Sequence, residues 1–580
     1  MKTRFEIVTA LVLAGVAGAA GCSGGEIADT SLPQVGPTGE NPPLVAASTP
    51  AADCIQPACA DIPLAKSAHA VRLTSPQWER TVQDLLKLDA QPGNSIDFPS
   101  DPAPPSDKFG LEASDLIVTT AHWSAYQKAA EALAALVTGD ATALDKILPD
   151  AAKSGDTAAR VSAFVTAFLP RAYRRPVTAK EIADVIAAGE LAAANVSVGD
   201  PFAVRVNWIL ATILQSPKFL YRITLGEDAV TDGRARLTAP EIASKLSYAL
   251  WGRMPDEALV AKVTAGKLAT KAGVAEVARG MLADPRASVA MADFHDQLYL
   301  VDHYLDVKNR PNNLYPTFYE TMMSDAQTDI RKTVEELVIA HDGGFDDLST
   351  SPIAFVNAKL ADVYGIDKSK YPTLTSSPEA FTKVQLDPAQ RKGILMHAGW
   401  LAYEAAPNQP SPIHRGAFMA RHVVCALLGN PPPGAAGAMP DKAAQPTNRL
   451  RVEATTSPCG DACHGGKGGV INPLGFAFEG FDSIGHIRTL DGNLPVDTTG
   501  TVSFTGPFKG ALDLFDSVAA NPRAHACYAA HWASYLNGVA TVDPTPKWLN
   551  PAAVASLKNG TVRDIVVELV QTDAFLTVSR

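Results

Sequence analysis

Cysteine is scarce, with seven in 580 residues. That is too few for a scaffold stapled throughout by disulfides. Aromatic residues make up only 7% and show no stacking stripe of the kind polysaccharide binders carry. Lysine and arginine form no long clusters and the formal net charge is −11, which argues against nucleic acid as a partner. Beyond the first 20 residues, no run approaches the roughly 18 consecutive apolar residues of a spanning helix. Also missing are Gly-x-Ser-x-Gly, a phosphate loop, a dinucleotide fingerprint and His-Glu-x-x-His. No methionine follows Met439. What the chain does have is a 46% hydrophobic and 19% charged composition, enough to bury a sizeable core over about three or four domains.

The N-terminus reads as an export signal. Lys2 and Arg4 form a basic start, Ile7 to Ala20 is mostly Ala, Val, Leu and Gly, and Glu6 is the one discordant residue. Such a run suits a signal peptide and is too short for a mature membrane span. It ends in Ala19-Ala20-Gly21-Cys22, which resembles the bacterial lipoprotein signal, in which the cysteine is acylated. Durable anchoring needs more than one acyl chain. The alternative is an ordinary cleaved signal followed by a chance cysteine. Ser23 after the cysteine implies sorting to the outer membrane. The expectation is an exported lipoprotein, held by lipid on Cys22, at the periplasmic face or the cell surface. With Cys22 lipidated, Cys54, Cys59, Cys425, Cys459, Cys463 and Cys527 remain in an oxidising compartment.

From Ser23 to about Lys66 the chain is rich in Pro, Gly, Ser and Thr and reads as a tether. Cys54 and Cys59 could close a small loop near its end. Helical signals then dominate. Thr178-Ala179-Lys180-Glu181 and Thr238-Ala239-Pro240-Glu241 are capping boxes, each opening a run of apolar residues at helical spacing. Ser75 as cap before Pro76 opens another helix. Further helices are expected at about 124–137 and 325–341, and a hairpin or loop over Thr498–Phe508. The Pro-rich 430–433 and small-residue 434–448 stretches read as a surface loop separating two lobes. The fold class expected is mainly α, with multi-lobed helical bundles and a cytochrome-c-like or disulfide-stabilised C-terminal helical region.

Several phrases, in order, resemble a multi-module family of planctomycetes and myxobacteria, the domains of unknown function 1587, 1595, 1592, 1588 and 1585. Arg174-Arg175-Pro176 through Ser216-Pro217-Lys218-Phe219-Leu220-Tyr221-Arg222 resembles module 1595. Leu246-Ser247-Tyr248-Ala249-Leu250-Trp251, Phe355-Val356-Asn357 and Tyr364-Gly365 resemble 1592. Arg391-Lys392-Gly393, Ser411-Pro412-Ile413-His414-Arg415-Gly416 and Asn472-Pro473-Leu474-Gly475-Phe476 resemble 1588. The stretch near Val71–Asp89 resembles 1587, and the tail from Ala511 resembles 1585. The chain then divides into a signal peptide (1–21), a disordered tether (22–66), an N-terminal helical region (67–157) and a 1595-like module (158–225). A 1592-like module (236–366), a 1588-like module with Cys-x3-Cys-His (388–490) and a 1585-like helical module (505–580) follow. The resemblance implies little about activity.

The sharpest chemical feature is Cys459-Gly460-Asp461-Ala462-Cys463-His464. Covalent haem attachment commonly uses two cysteines two residues apart with histidine next, the cysteines taking the vinyl groups and the histidine the iron. Module 1588 typically shows that shorter form, so the three-residue spacer here departs from it. Gly465 to Ile471 also separates His464 from the Asn472 phrase. Three uses fit. In the first, haem c sits on Cys459 and Cys463 with His464 on iron, and His486 or an open position lies opposite. In the second, Cys459 pairs with Cys463 and Cys425 with Cys527. In the third, zinc takes Cys459, Cys463 and His464, one ligand short of a structural site. Glu479 and Asp482 could form an acid–base pair or cap and brace a turn, the blander reading. His414 and Arg415 could face an anion or a haem propionate, though Ser411-Pro412 reads first as a helix start. Two functions follow: a haem c redox or electron-transfer protein with a redox partner, or a non-enzymatic, disulfide-stabilised surface lipoprotein binding a polymer or protein.

Overall fold

The computed structural model describes residues 64, 67–102, 109–194, 196–428, 444–456, 469–540, 543–558 and 560–580. Cys22, Cys54, Cys59, Cys459, Cys463 and His464 lie outside the described residues. The protein is mainly α, with 57% of the described residues helical and 8% in strands, so helix packing and not a sheet organises it. No described helix is long and apolar enough to cross a membrane.

Local chemistry accounts for the helix starts. In the helix Ala179–Ala193 the Thr178 hydroxyl accepts from the Glu181 amide at 3.2 Å, and the Glu181 carboxylate takes the Thr178 amide at 2.9 Å. The same carboxylate meets Arg175 and Lys218, each at 2.7 Å, and both cations hold it well below the usual range. At the helix Ser75–Leu86 the cap is Thr74 and not Ser75, because Gln77 stands at the reciprocal position. The stretch expected near 124–137 is the helix Thr120–Thr138. The one expected at 325–341 runs Met322–Val334 and continues as a π turn over Glu335–Ala340. The strands Gly500–Val502 and Gly506–Phe508 form the expected hairpin.

Two large cores result. One joins Leu73, Trp78 and Tyr126 to Phe164, Phe202 and Phe219, with Tyr248 and Met254 reaching in. The other joins helices of 239–348 to the stretches 394–424 and 474–578. The chain on either side of 430–448 therefore shares one core, so that stretch, of which 430–443 lie outside the described residues, does not divide two lobes. The division falls earlier, near the strand Tyr221–Ile223. The physical reason is apolar surface: Trp400, Phe418, Leu474 and Phe478 on both sides of the stretch are all nearly inaccessible and bury against one another. The C-terminal strand Thr577–Ser579 pairs with Arg234–Arg236, and the Ser67 amide donates to Ser579 Oγ at 3.0 Å.

Inside the larger core, His295 is fully buried between the helices Ser288–Leu298 and Pro522–Asn537. A carbonyl can only accept, so His295 Nδ1 donates to Met291 O at 2.7 Å and Nε2 accepts from the Tyr528 hydroxyl at 2.7 Å. Burial lowers its pKa from 6.5 to about 4. Between those values the unfolded chain binds the proton and the native one does not, so this group's stabilising effect is complete above pH 6.5 and fades on acidification. His295→Gln, which cannot charge, should show a flatter fall of unfolding free energy between about pH 7 and 5 than the wild type, by about 2 kcal/mol. Parallel slopes in urea melts at the two pH values would remove His295 as the cause.

Candidate functional site

The residues singled out from the 1588-like phrases converge. The helices Pro412–Phe418 and Ile471–Phe476 cross with their backbones in contact. A Cβ at Gly416 would lie 1.8 Å from Ile471 O, and one at Gly475 would lie 1.8 Å from Pro412 O. Only glycine allows that approach. Arg415, fully buried, spans the same crossing. Its guanidinium donates to the carbonyls of Phe478 and Phe481 at 3.0 Å and of Leu401 and Asp482 at 2.8 Å. Arg415 is thus a clamp on four carbonyls and does not face an anion. His414 is exposed on the same helix, its amide capped by Ser411 at 3.4 Å.

Glu479 and Asp482 take the structural role. The Glu479 carboxylate is buried, meets Arg488 at 2.7 Å and accepts from Asn448 Nδ2 at 3.0 Å, and burial raises its pKa. Asp482 Oδ1 takes the amides of Ile484 and His486, each at 2.9 Å, closing a turn. His486 is half-buried, with Nε2 2.9 Å from Thr317 Oγ1. Burial lowers its pKa, Asp482 opposing and Arg391 adding to the effect.

The helix Asn448–Thr456 leads into the cysteine motif and the helix Ile471–Phe476 leads out of it. Their facing ends are joined by Asn472 Nδ2 donating to Thr456 Oγ1 at 2.9 Å. Asn472 Oδ1 is buried with no donor among the described residues. Beside this point an open groove of about 570 Å³ runs toward the 500–508 hairpin. Pro473, Phe476, Pro507 and Phe508 give it apolar walls, and Arg449 and Lys509 place two cations on it beside the carboxylates of Glu453 and Asp513. Arg449 lies 4.4 Å over the Phe476 ring and pairs with Glu453 at 3.0 Å. Neither histidine nor methionine lines the groove among the described residues, and His486 is not part of its wall.

Cys425 and Cys527 form a disulfide, with Cα atoms 5.4 Å apart across 102 residues. The pairing is the one expected where all the cysteines form bridges. His531 follows Cys527 by one helical turn, its Nε2 3.5 Å from Cys527 Sγ and 3.8 Å from Cys425 Sγ. The two sulfurs and His531 are the one described group of histidine, cysteine and acid atoms close enough to hold a metal. With the sulfurs bonded to each other, they serve as a bridge.

One buried network gave no sign in the sequence. Asp329, on an apolar helix face, accepts from the Tyr364 hydroxyl at 2.5 Å, from His397 Nδ1 at 2.9 Å and from the Phe355 amide at 2.7 Å. Arg391 lies 4.8 Å over the Tyr364 ring and donates to Gly485 O at 2.5 Å. The network ties the 1592-like part to the 1588-like part. Asp329 and His397 are almost wholly enclosed, which fits a brace and not a solvent-facing site.

Fold and site define a mainly helical, multi-module protein with a disulfide-bridged C-terminal region. Four family profiles match it in chain order: PSD3, a protein of unknown function (DUF1587), over 72–139; PSD5 (DUF1595) over 160–223; PSD4 (DUF1592) over 237–366; and PSCyt3 (DUF1588) over 391–491. The chain carries these PSD and PSCyt modules in a multi-module arrangement. The likeness of the tail to module 1585 rests on its sequence alone. No curated protein and no solved structure matches the chain. The modules are not separate bodies, since the first two share one core and the last two share the other.

Proposed function

We propose that the chain is an exported lipoprotein, acylated on Cys22, whose 391–491 module carries haem c and serves in electron transfer or redox chemistry outside the cytoplasm. The observation that carries the reading is the groove beside the point where the helices flanking the cysteine motif are joined. Its apolar walls suit a macrocycle, and Arg449 and Lys509 suit propionates. Cys459 and Cys463 would form the thioethers and His464 would ligate iron. Asn472 Oδ1, without a donor among the described residues, would supply an acceptor for the other ring N–H of an axial histidine. When bound, haem supplies a one-electron couple. The lack of histidine or methionine in the described groove wall favours an open sixth position over His486. The Cys425–Cys527 bridge accords with an oxidising compartment, and the module's short name, PSCyt3, hints at cytochrome-like domains.

The same bridge favours a second reading, a disulfide-stabilised surface lipoprotein that binds a polymer or protein. One experiment separates the two. In a strain with haem c maturation, mass spectrometry should find haem on the Cys459–Cys463 peptide, absent in Cys463→Ser, and acyl chains on Cys22. A peptide lighter by two hydrogens with no haem would retire the redox reading in favour of the second.

A further inference from the structure

The Cys425–Cys527 bridge lies against two further donor atoms, where the π turn Met419–Val423 and the residues after it meet the helix Pro522–Asn537. His531 Nε2 is 3.5 Å from Cys527 Sγ and 3.8 Å from Cys425 Sγ. The carbonyl oxygen of His422 is 3.1 Å from the same nitrogen and 3.7 Å from Cys527 Sγ. Bonds of about 2.0–2.3 Å to a tetrahedral zinc imply edges of about 3.3–3.8 Å between its ligand atoms. Four edges of this cluster already stand near that spacing. Only the two sulfurs, bonded to each other, stand closer, and reduction frees them to part.

Neither backbone relies on the bridge alone for its place. Cys527 stands inside the helix, one turn before His531. Arg523 of the same helix donates to Val424 O at 2.6 Å and to Cys425 O at 3.1 Å, and the Ala426 amide bonds Ala420 O at 2.7 Å. Opening the bridge therefore leaves both thiols facing His531. The surroundings are closed to water: Cys527 is fully buried, and Phe109 stands edge-on to the His531 ring, with centroids 6.1 Å apart. A net charge is costly there. Two thiolates cancel the charge of a divalent ion, whereas a monovalent ion would leave one negative charge over. Thiolate and imidazole donors suit zinc and not calcium or magnesium.

We propose that the reduced protein binds a zinc-type divalent ion through Cys425, Cys527 and His531, with His422 O as a weaker fourth ligand. In the first step a dithiol gives two electrons and two protons to the bridge and itself becomes a disulfide, leaving Cys425 and Cys527 as thiols. Metal binding then releases both thiol protons. A carbonyl only accepts, so His531 Nε2 now carries the imidazole proton toward His422 O. On binding, that proton moves to Nδ1, and none is gained or lost at the ring. One cross-link replaces another, so the stretch 394–425 stays tied to the helix Pro522–Asn537 in either redox state. The site uses no residue of the 459–464 motif and stands whether or not that motif carries haem.

The test uses the full chain, reduced in denaturant and refolded without oxygen. Cobalt(II) is the probe, because its thiolate charge-transfer and tetrahedral d–d bands report ligand type and geometry. Reduced wild type should take up one more cobalt ion than Cys425→Ala with Cys527→Ala, with a thiolate band that added zinc removes. His531→Ala should weaken that uptake by about tenfold or more. Zinc should raise the Tm of reduced wild type by about 2 °C or more beyond its effect on the double variant. The other cysteines are common to all three proteins and cancel. If the double variant does not refold, His531→Ala against the wild type decides. Equal cobalt uptake in reduced wild type and double variant, equal affinity in His531→Ala, or no excess rise in Tm would each overturn the site.

Discussion

Arg415→Met should lower the unfolding free energy by about 4 kcal/mol, because it leaves several buried carbonyls without a donor at about 1–3 kcal/mol each. The volume is nearly kept, so a cavity is not the cause. The carbonyls belong to Leu401, Phe478, Phe481 and Asp482, and three of them lie in one turn, so the loss should concentrate there. Arg415→Lys should recover less than half of the loss, since an ammonium has three donors and no fork to span two sides of a helix crossing. Urea melts give the energies, and amide exchange over 470–490 locates the damage. A change smaller than about 1 kcal/mol in Arg415→Met would mean that water or a neighbour serves those carbonyls, and the clamp would have to be abandoned.

Arg415 also shows what could and could not be read from the sequence. Ser411-Pro412 was legible as a helix start because a cap and a first-turn proline act within three residues. The boxes at Thr178 and Thr238 were legible for the same reason, and the Thr74 cap was missed by only one position. The partners of Arg415 lie up to 67 residues away and are carbonyls, which every residue has, so no side-chain pattern announces them. Gly416 and Gly475 stood out as parts of two phrases, but the backbone contact that requires them exists only after the helices cross. Asp329 had no signal beyond an acid on an apolar face. The stretch 430–448 misled for a related reason: composition marks a connection but cannot tell whether the elements it joins bury against each other.

Removing the Cys425–Cys527 bridge as a pair, in Cys425→Ala with Cys527→Ala, should have the largest effect on stability of any change near the candidate site. Cross-linking residues 102 apart removes loop-closure entropy from the unfolded chain, worth about 4.7 kcal/mol for a loop of roughly 100 residues in the chain-entropy model. Both alanines fit the space of the sulfurs without stranding a buried thiol, so the double variant reports the cross-link more cleanly than either single one. The bridge joins the end of the stretch 394–425 to the helix Pro522–Asn537, which encloses the whole cysteine motif and its groove in one covalent loop. Loss of the bridge should therefore lower Tm and the urea midpoint together. In native conditions reductant should act slowly, because Cys527 is fully buried and Cys425 only 8% exposed. Once the bridge is reduced in denaturant, the wild type should refold to the stability of the double variant. Alkylation of the unreduced, denatured protein offers the decisive check. Labelling of Cys425 and Cys527 there would show two free thiols, and both the bridge and its argument for an oxidising compartment would fall.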